Sequence, residues 1–88
     1  MYYTYVLRSQ KDGNLYSGHT NNLRVRFELH QAGKVESTAY RRPLELIYYE
    51  ACRTKQDAIK REKYFKTHYG RMFLRRRIKS DSTGLTKP

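Results

Sequence analysis

The chain opens on a run in which aromatic and β-branched residues crowd together: 2–9 reads YYTYVLRS, which predicts a strand. Asp12-Gly13 follows as a hairpin signal, and 15–20, LYSGHT, predicts the returning strand. From Leu23 the spacing changes. Leu23 and Phe27 are four apart and share a helical face, Asn21 or Asn22 can cap the first turn, and Gly33 suits the left-handed stop. Residues 34–43 show no period and predict a loop, where Pro43 restricts Arg42 to extended backbone. Residues 44–51, LELIYYEA, predict a third strand with Leu44, Leu46 and Tyr48 on one face. Thr54 and Asp57 resemble a capping box for a helix over 55–68, closed by Gly70. A short third helix is expected over 71–79, and a polar tail over 80–88.

The order ββαβαα predicts an α+β fold: a small three-stranded antiparallel sheet flanked by helices. The helices after the second and third strands are expected to cover one sheet face, as one sheet and one helical layer. The 88 residues fit one domain, 1–79, with the tail outside it.

Charge changes the picture more than length does. Nineteen Lys and Arg against eight Asp and Glu give a formal charge of +11. Such a surplus favours a polyanionic partner, most often nucleic acid, over a merely solvated basic surface. No segment pairs a basic face with a broad apolar one, and no apolar run reaches the roughly 20 residues of a membrane span. The single cysteine, Cys52, excludes an internal disulfide and a Cys/His zinc set. The start of the chain lacks the charged leader of a signal peptide. The expectation is a cytoplasmic monomer or weak dimer with no membrane partner and no small-molecule cofactor.

Two helices carry polar groups where a core-facing helix should carry leucine. Arg26 and His30 flank the Leu23/Phe27 stripe, although Val25, Leu29 and Ala32 form a second apolar patch. Glu62 lies between Ile59 and Phe65. A carboxylate there either pairs with a cation from another element, for which Arg26 is the candidate, or holds a metal. The cations of its own helix, Lys60, Arg61, Lys63 and Lys66, are expected to point elsewhere. One carboxylate suits Mg²⁺, which keeps most of its waters, and not zinc or a calcium cage. Arginine, metal and tyrosines together suit phosphodiester hydrolysis. Most of the nine tyrosines must be packing residues.

The ordered set resembles the GIY-YIG nuclease superfamily. A strand ends in Thr4-Tyr5; after ten intervening residues comes Tyr16-Ser17-Gly18; Arg26 follows ten positions later; and Glu62 sits on a later helix. The first segment reads Tyr3-Thr4-Tyr5, without the glycine of the family's name. The likeness covers nearly the whole chain. It is greatest to small single-domain members, similar to the catalytic modules of excinucleases and of structure-selective resolvases.

The resemblance implies a metal-dependent endonuclease acting on DNA, in repair or recombination, with one divalent metal, Mg²⁺ or Mn²⁺. Tyr16 would act as general base for the attacking water or would orient it. Tyr5 would help bind the nucleophile or phosphate, Arg26 would stabilise the transition state, and Glu62 would be the metal's protein ligand. His30 matches a histidine of the small members. His19 either tunes Tyr16 or lines the nucleic-acid cleft. Arginines interleaved with aromatics, Arg41 and Arg42 in the loop and Arg71, Arg75 and Arg76 near the end, suit phosphate contacts. The alternative is a nucleic-acid-binding protein of the same fold with little or no catalysis, for which RNA is a candidate partner.

Overall fold

The first two predicted strands form a hairpin. Strand β1 (Tyr2–Ser9) turns through Gly13, whose φ of 75° favours glycine, into β2 (Leu15–Thr20). They pair antiparallel, with Tyr5 opposite Gly18 and Leu7 opposite Tyr16. Strand β3 (Leu44–Cys52) pairs antiparallel with the other side of β1, so the sheet order is β2-β1-β3 and β2 is an edge. The computed structural model describes residues 1–78; the expected polar tail, with Lys79, lies outside the described residues.

The predicted single face of β3 is broken by a bulge. Val6 pairs with Tyr48 and Leu7 with Leu46, which leaves Ile47 as an extra residue. Leu44 and Leu46 therefore pack with Tyr5 and Leu7, whereas Ile47 and Tyr48 pack with Val6 and Phe65. Two residues that alternation places together face opposite sides.

Helices cover both faces, not one. Helix α1 (Leu23–Gln31) lays Leu23 and Phe27 on the Tyr5/Leu7 face. Helices α2 (Lys55–Phe65) and α3 (His68–Arg77) cover the Val6 face with Phe65 and Leu74. Alternation along β1 makes this necessary: Thr4, Tyr5, Val6 and Leu7 are all buried, so each face needs its own cover. The Val25/Leu29 patch of α1 stays exposed. The order ββαβαα and the three-stranded antiparallel sheet stand as expected among the described residues.

Caps set the helix ends. Asn22 accepts from the Val25 amide at 3.2 Å and Thr54 from the Asp57 amide at 3.1 Å. Helix α2 stops at Phe65, short of the expected His68, because Thr67 caps α3 by accepting from the Gly70 amide at 3.1 Å. Gly70 thus belongs to the first turn of α3 and does not close α2. A Cβ on it would lie 1.8 Å from the carbonyl oxygen of Tyr64, so the glycine lets the two helices meet. The loop before β3 contains one 3₁₀ turn, Ala39–Arg41. Arg61 secures the far corner. It donates to both oxygens of Glu50 at 2.8 Å, and its guanidinium lies 4.9 Å from the ring centroids of Tyr64 and Phe65. That ion pair holds the Glu50 carboxyl below the usual carboxylate range.

Candidate active site

The antiparallel register puts Tyr5, on the central strand, beside Gly18 on the edge strand. A Cβ at Gly18 would lie 2.5 Å from the Tyr5 hydroxyl oxygen and 2.7 Å from Cζ. The phenol therefore lies across the glycine and carries its hydroxyl toward the β2 edge. Any side chain at position 18 would push it off.

The hydroxyl is held from two sides. His30, fully buried on α1, is 2.8 Å away through Nε2, and its Nδ1 is 2.7 Å from Oγ1 of Thr38. The Thr38 hydroxyl donates to the carbonyl of Val35 at 3.4 Å. It is thereby left to accept from Nδ1–H, and the network assigns Nε2 as the acceptor for Tyr5. Burial, reinforced by the charge of Arg26, pushes His30 down to about 4, so it is neutral at pH 7. Burial pushes the Tyr5 phenol up, against the opposing bond from Arg26. Tyr5 is thus a fixed, protonated donor and a poor base.

Arg26, one turn before His30 on α1, donates from Nε to the Tyr5 oxygen at 3.4 Å and also interacts with Tyr16. The bond to Tyr5 raises its affinity for its proton further. The Tyr16 ring completes the group, with its centroid 5.3 Å from that of His30 and 6.4 Å from that of Tyr5. These four residues converge because the hairpin register and α1 place them on one sheet face.

Glu62 reaches the same edge from the other face. His19 follows Gly18 in β2, so its side chain points opposite to that of Tyr5, toward α2. Its Nδ1 is 2.5 Å from Oε1 of Glu62, and Lys66 donates to Oε2 at 2.9 Å. Burial pushes the Glu62 carboxyl up. The bonds and charges of His19 and Lys66 outweigh it and hold the group below the usual range. Of the two alternatives for Glu62, the ion pair with Arg26 is not formed: Arg26 serves Tyr5 instead, and Lys66, one turn along α2, supplies the cation. Tyr5 lies opposite Gly18 and Glu62 bonds the next residue, His19, so the two halves meet at adjacent residues of β2.

Among the described residues no group of three His, Cys, Asp or Glu could hold a metal. A closed protein cage therefore does not fit. A single carboxylate fits an ion that keeps most of its waters.

The basic residues divide differently. His19 bonds Glu62 and stands inside the site. Arg41 pairs with Asp12 at 3.4 Å, and Arg42 donates to the carbonyls of Ala39 and Gln31, so both brace the loop before β3. Arg71 and Arg75 line a concavity beside the hairpin, and Arg76 is exposed on the last turn of α3. Sequence reasoning missed Thr38, which carries no signal in its loop. It also set Lys66 aside, although the i, i+4 spacing from Glu62 marks it.

The GIY-YIG catalytic domain family matches residues 1–78. A UPF0213 protein of Bacillus pumilus is 46% identical over 67 residues, 75% of this chain and 67% of that protein. One from Staphylococcus haemolyticus is 40% identical over 67 residues, 75% of this chain and 80% of its own length. The solution NMR structure of a UPF0213 protein from Bacillus halodurans aligns with a TM-score of 0.52 at 29% identity, over 84% of this chain and 82% of that one. No helix among the described residues is long and apolar enough to cross a membrane.

Proposed function

The chain belongs to the GIY-YIG catalytic domain family, and on that premise we propose that it is a divalent-metal-dependent endonuclease hydrolysing phosphodiester bonds in DNA. Structure-selective cutting in repair or recombination is part of this reading. The observation that carries it is the convergence at the β2 edge: the bonded set Tyr5, Arg26 and His30 with Tyr16 on one face, Glu62 on the other.

In this reading the scissile phosphate lies over Gly18. Arg26 spends Nε on Tyr5 and keeps N–H donors for phosphate oxygens, where charge builds as water attacks phosphorus. Tyr16 orients that water or, as general base, takes up the proton it loses on attack. Tyr5 positions the phosphate side of the site, and neutral His30 positions Tyr5. Glu62 would hold Mg²⁺ or Mn²⁺, with His19 or Lys66 giving way. Bound there, the ion supplies charge neutralisation at the phosphate and the leaving oxygen.

The test is nicking of labelled single-stranded, branched and duplex DNA, with an RNA arm, in Mg²⁺ or Mn²⁺ against a chelator control. Metal-dependent scission of a DNA arm supports the reading. Retarded migration of nucleic acid with no scission would replace it with a binding protein of the same fold.

A further inference from the structure

We propose that the concavity where β1, the hairpin turn and α3 meet is a second phosphate seat, holding the backbone of the same polynucleotide whose scissile phosphate meets Arg26. The proposal rests on the endonuclease reading and adds where the rest of the substrate lies.

The concavity has a volume of about 260 Å³ and, among the described residues, is lined by Arg8, Arg71 and Arg75 with Gly13, Asn14, Leu15 and Ile78, none of them a carboxylate. Arg8 is anchored at its rim, donating to Glu45 at 3.0 Å. Arg71 and Arg75 are four apart on α3 and share a face, an arrangement that costs stability unless an anion lies between them. The helix dipole accounts for Arg75, in the last turn, but not for Arg71, which sits near the amino end where a cation is disfavoured. Among the described residues neither side chain has an ion-pair or hydrogen-bond partner. The two guanidiniums of Arg71 and Arg75 on one hollow are suited to phosphate oxygens, which a guanidinium binds in a fork.

Position ties the seat to the site. Leu15 at its wall and His19 beside Glu62 are four apart on β2, so both project from the same sheet face. From Leu15 to His19, beside Gly18, the strand advances about 13 Å at ~3.3 Å per residue. A polynucleotide a few residues long can rest one phosphate at Gly18 and another in the hollow, with its backbone along the β2 edge.

The experiment measures binding in a chelator, where nothing is cut. Labelled oligonucleotides and a dinucleotide are titrated at several salt concentrations against the wild type and the double variant Arg71→Ala/Arg75→Ala. The seat predicts that the double variant flattens the log–log salt slope by about 1.8 on duplex or about 1.4 on a single strand. It also predicts lost affinity for the oligonucleotide and not for the dinucleotide. Arg71→Lys/Arg75→Lys, which keeps the charge, should retain most of the slope. The control Arg53→Ala/Lys63→Ala, which removes two exposed charges elsewhere, should flatten it less than half as much. A slope equal to the wild type, or a change matched by the control, overturns the proposal. So does a variant that loses inorganic phosphate yet binds oligonucleotide normally, since the hollow would then serve a free anion. Absence of cleavage by the wild type would overturn the endonuclease reading without altering these slopes.

Discussion

The Tyr5 ring occupies the space that a side chain at position 18 would fill, with its hydroxyl oxygen 2.5 Å from where the Cβ would stand. Gly18→Ala must therefore displace a phenol pinned by His30 and Arg26. Because the ring's tip can swing outward, the cost falls on geometry more than on folding. Cleavage kinetics should show kcat/KM lowered about a hundredfold, with a Tm only a few degrees below wild type. Wild-type kinetics in the folded variant would contradict this placing of Tyr5.

Gly70→Ala should behave in the opposite way. Its Cβ would meet the Tyr64 carbonyl at 1.8 Å, and that oxygen is backbone. Helices α2 and α3 would have to separate, uncovering Phe65 and Leu74. Urea denaturation should show a loss of about 3 kcal/mol or more, in the range of severe core disruptions.

His30 makes stability depend on pH. Its folded value is about 4 against 6.5 for the free side chain. The unfolded chain takes up this proton first as pH falls, so the contribution is complete above about 6.5 and is lost on descent toward 4. The full span corresponds to about 3 kcal/mol. Thermal unfolding of the wild type should weaken through the upper half of that window, before the carboxylates titrate. His30→Gln, with no proton to gain, should give a flatter curve there.

Thr38→Val keeps the shape of the side chain and removes the acceptor assigned to Nδ1–H of His30. A buried donor left unpaired costs about 1–3 kcal/mol. Chemical denaturation should show that loss, and cleavage should slow because His30 no longer fixes Tyr5. Unchanged stability would contradict the assigned tautomer.

What could be read from the sequence was what lies close along the chain. The hairpin follows from Asp12-Gly13 and its flanking strands, the caps from Asn22 and Thr54, and the fold order from the succession of periods. The GIY-YIG resemblance also rests on local segments, and the family match bears it out. What depended on register was hidden. The bulge at Ile47 reverses Tyr48, and a one-residue insertion leaves no mark on alternation. That same blindness favoured one helical layer, since the four buried residues Thr4 to Leu7 read equally well as a single strong strand. Arg26 and Glu62 looked like natural partners because both interrupt apolar stripes. The sheet edge settled the partner choice by putting His19 beside the carboxylate and giving Arg26 the Tyr5 hydroxyl, while the i, i+4 spacing brings Lys66 to Glu62.

The most direct measurement is cleavage of a labelled branched DNA in Mg²⁺ by wild type, Tyr16→Phe, Arg26→Ala and Glu62→Ala, each shown by circular dichroism to be folded. Metal-dependent scission by the wild type, with all three variants reduced to the level seen in chelator, is the predicted result. Cleavage by Glu62→Ala at the wild-type rate, or scission that persists in chelator, would contradict the account of a single-carboxylate metal site at the β2 edge.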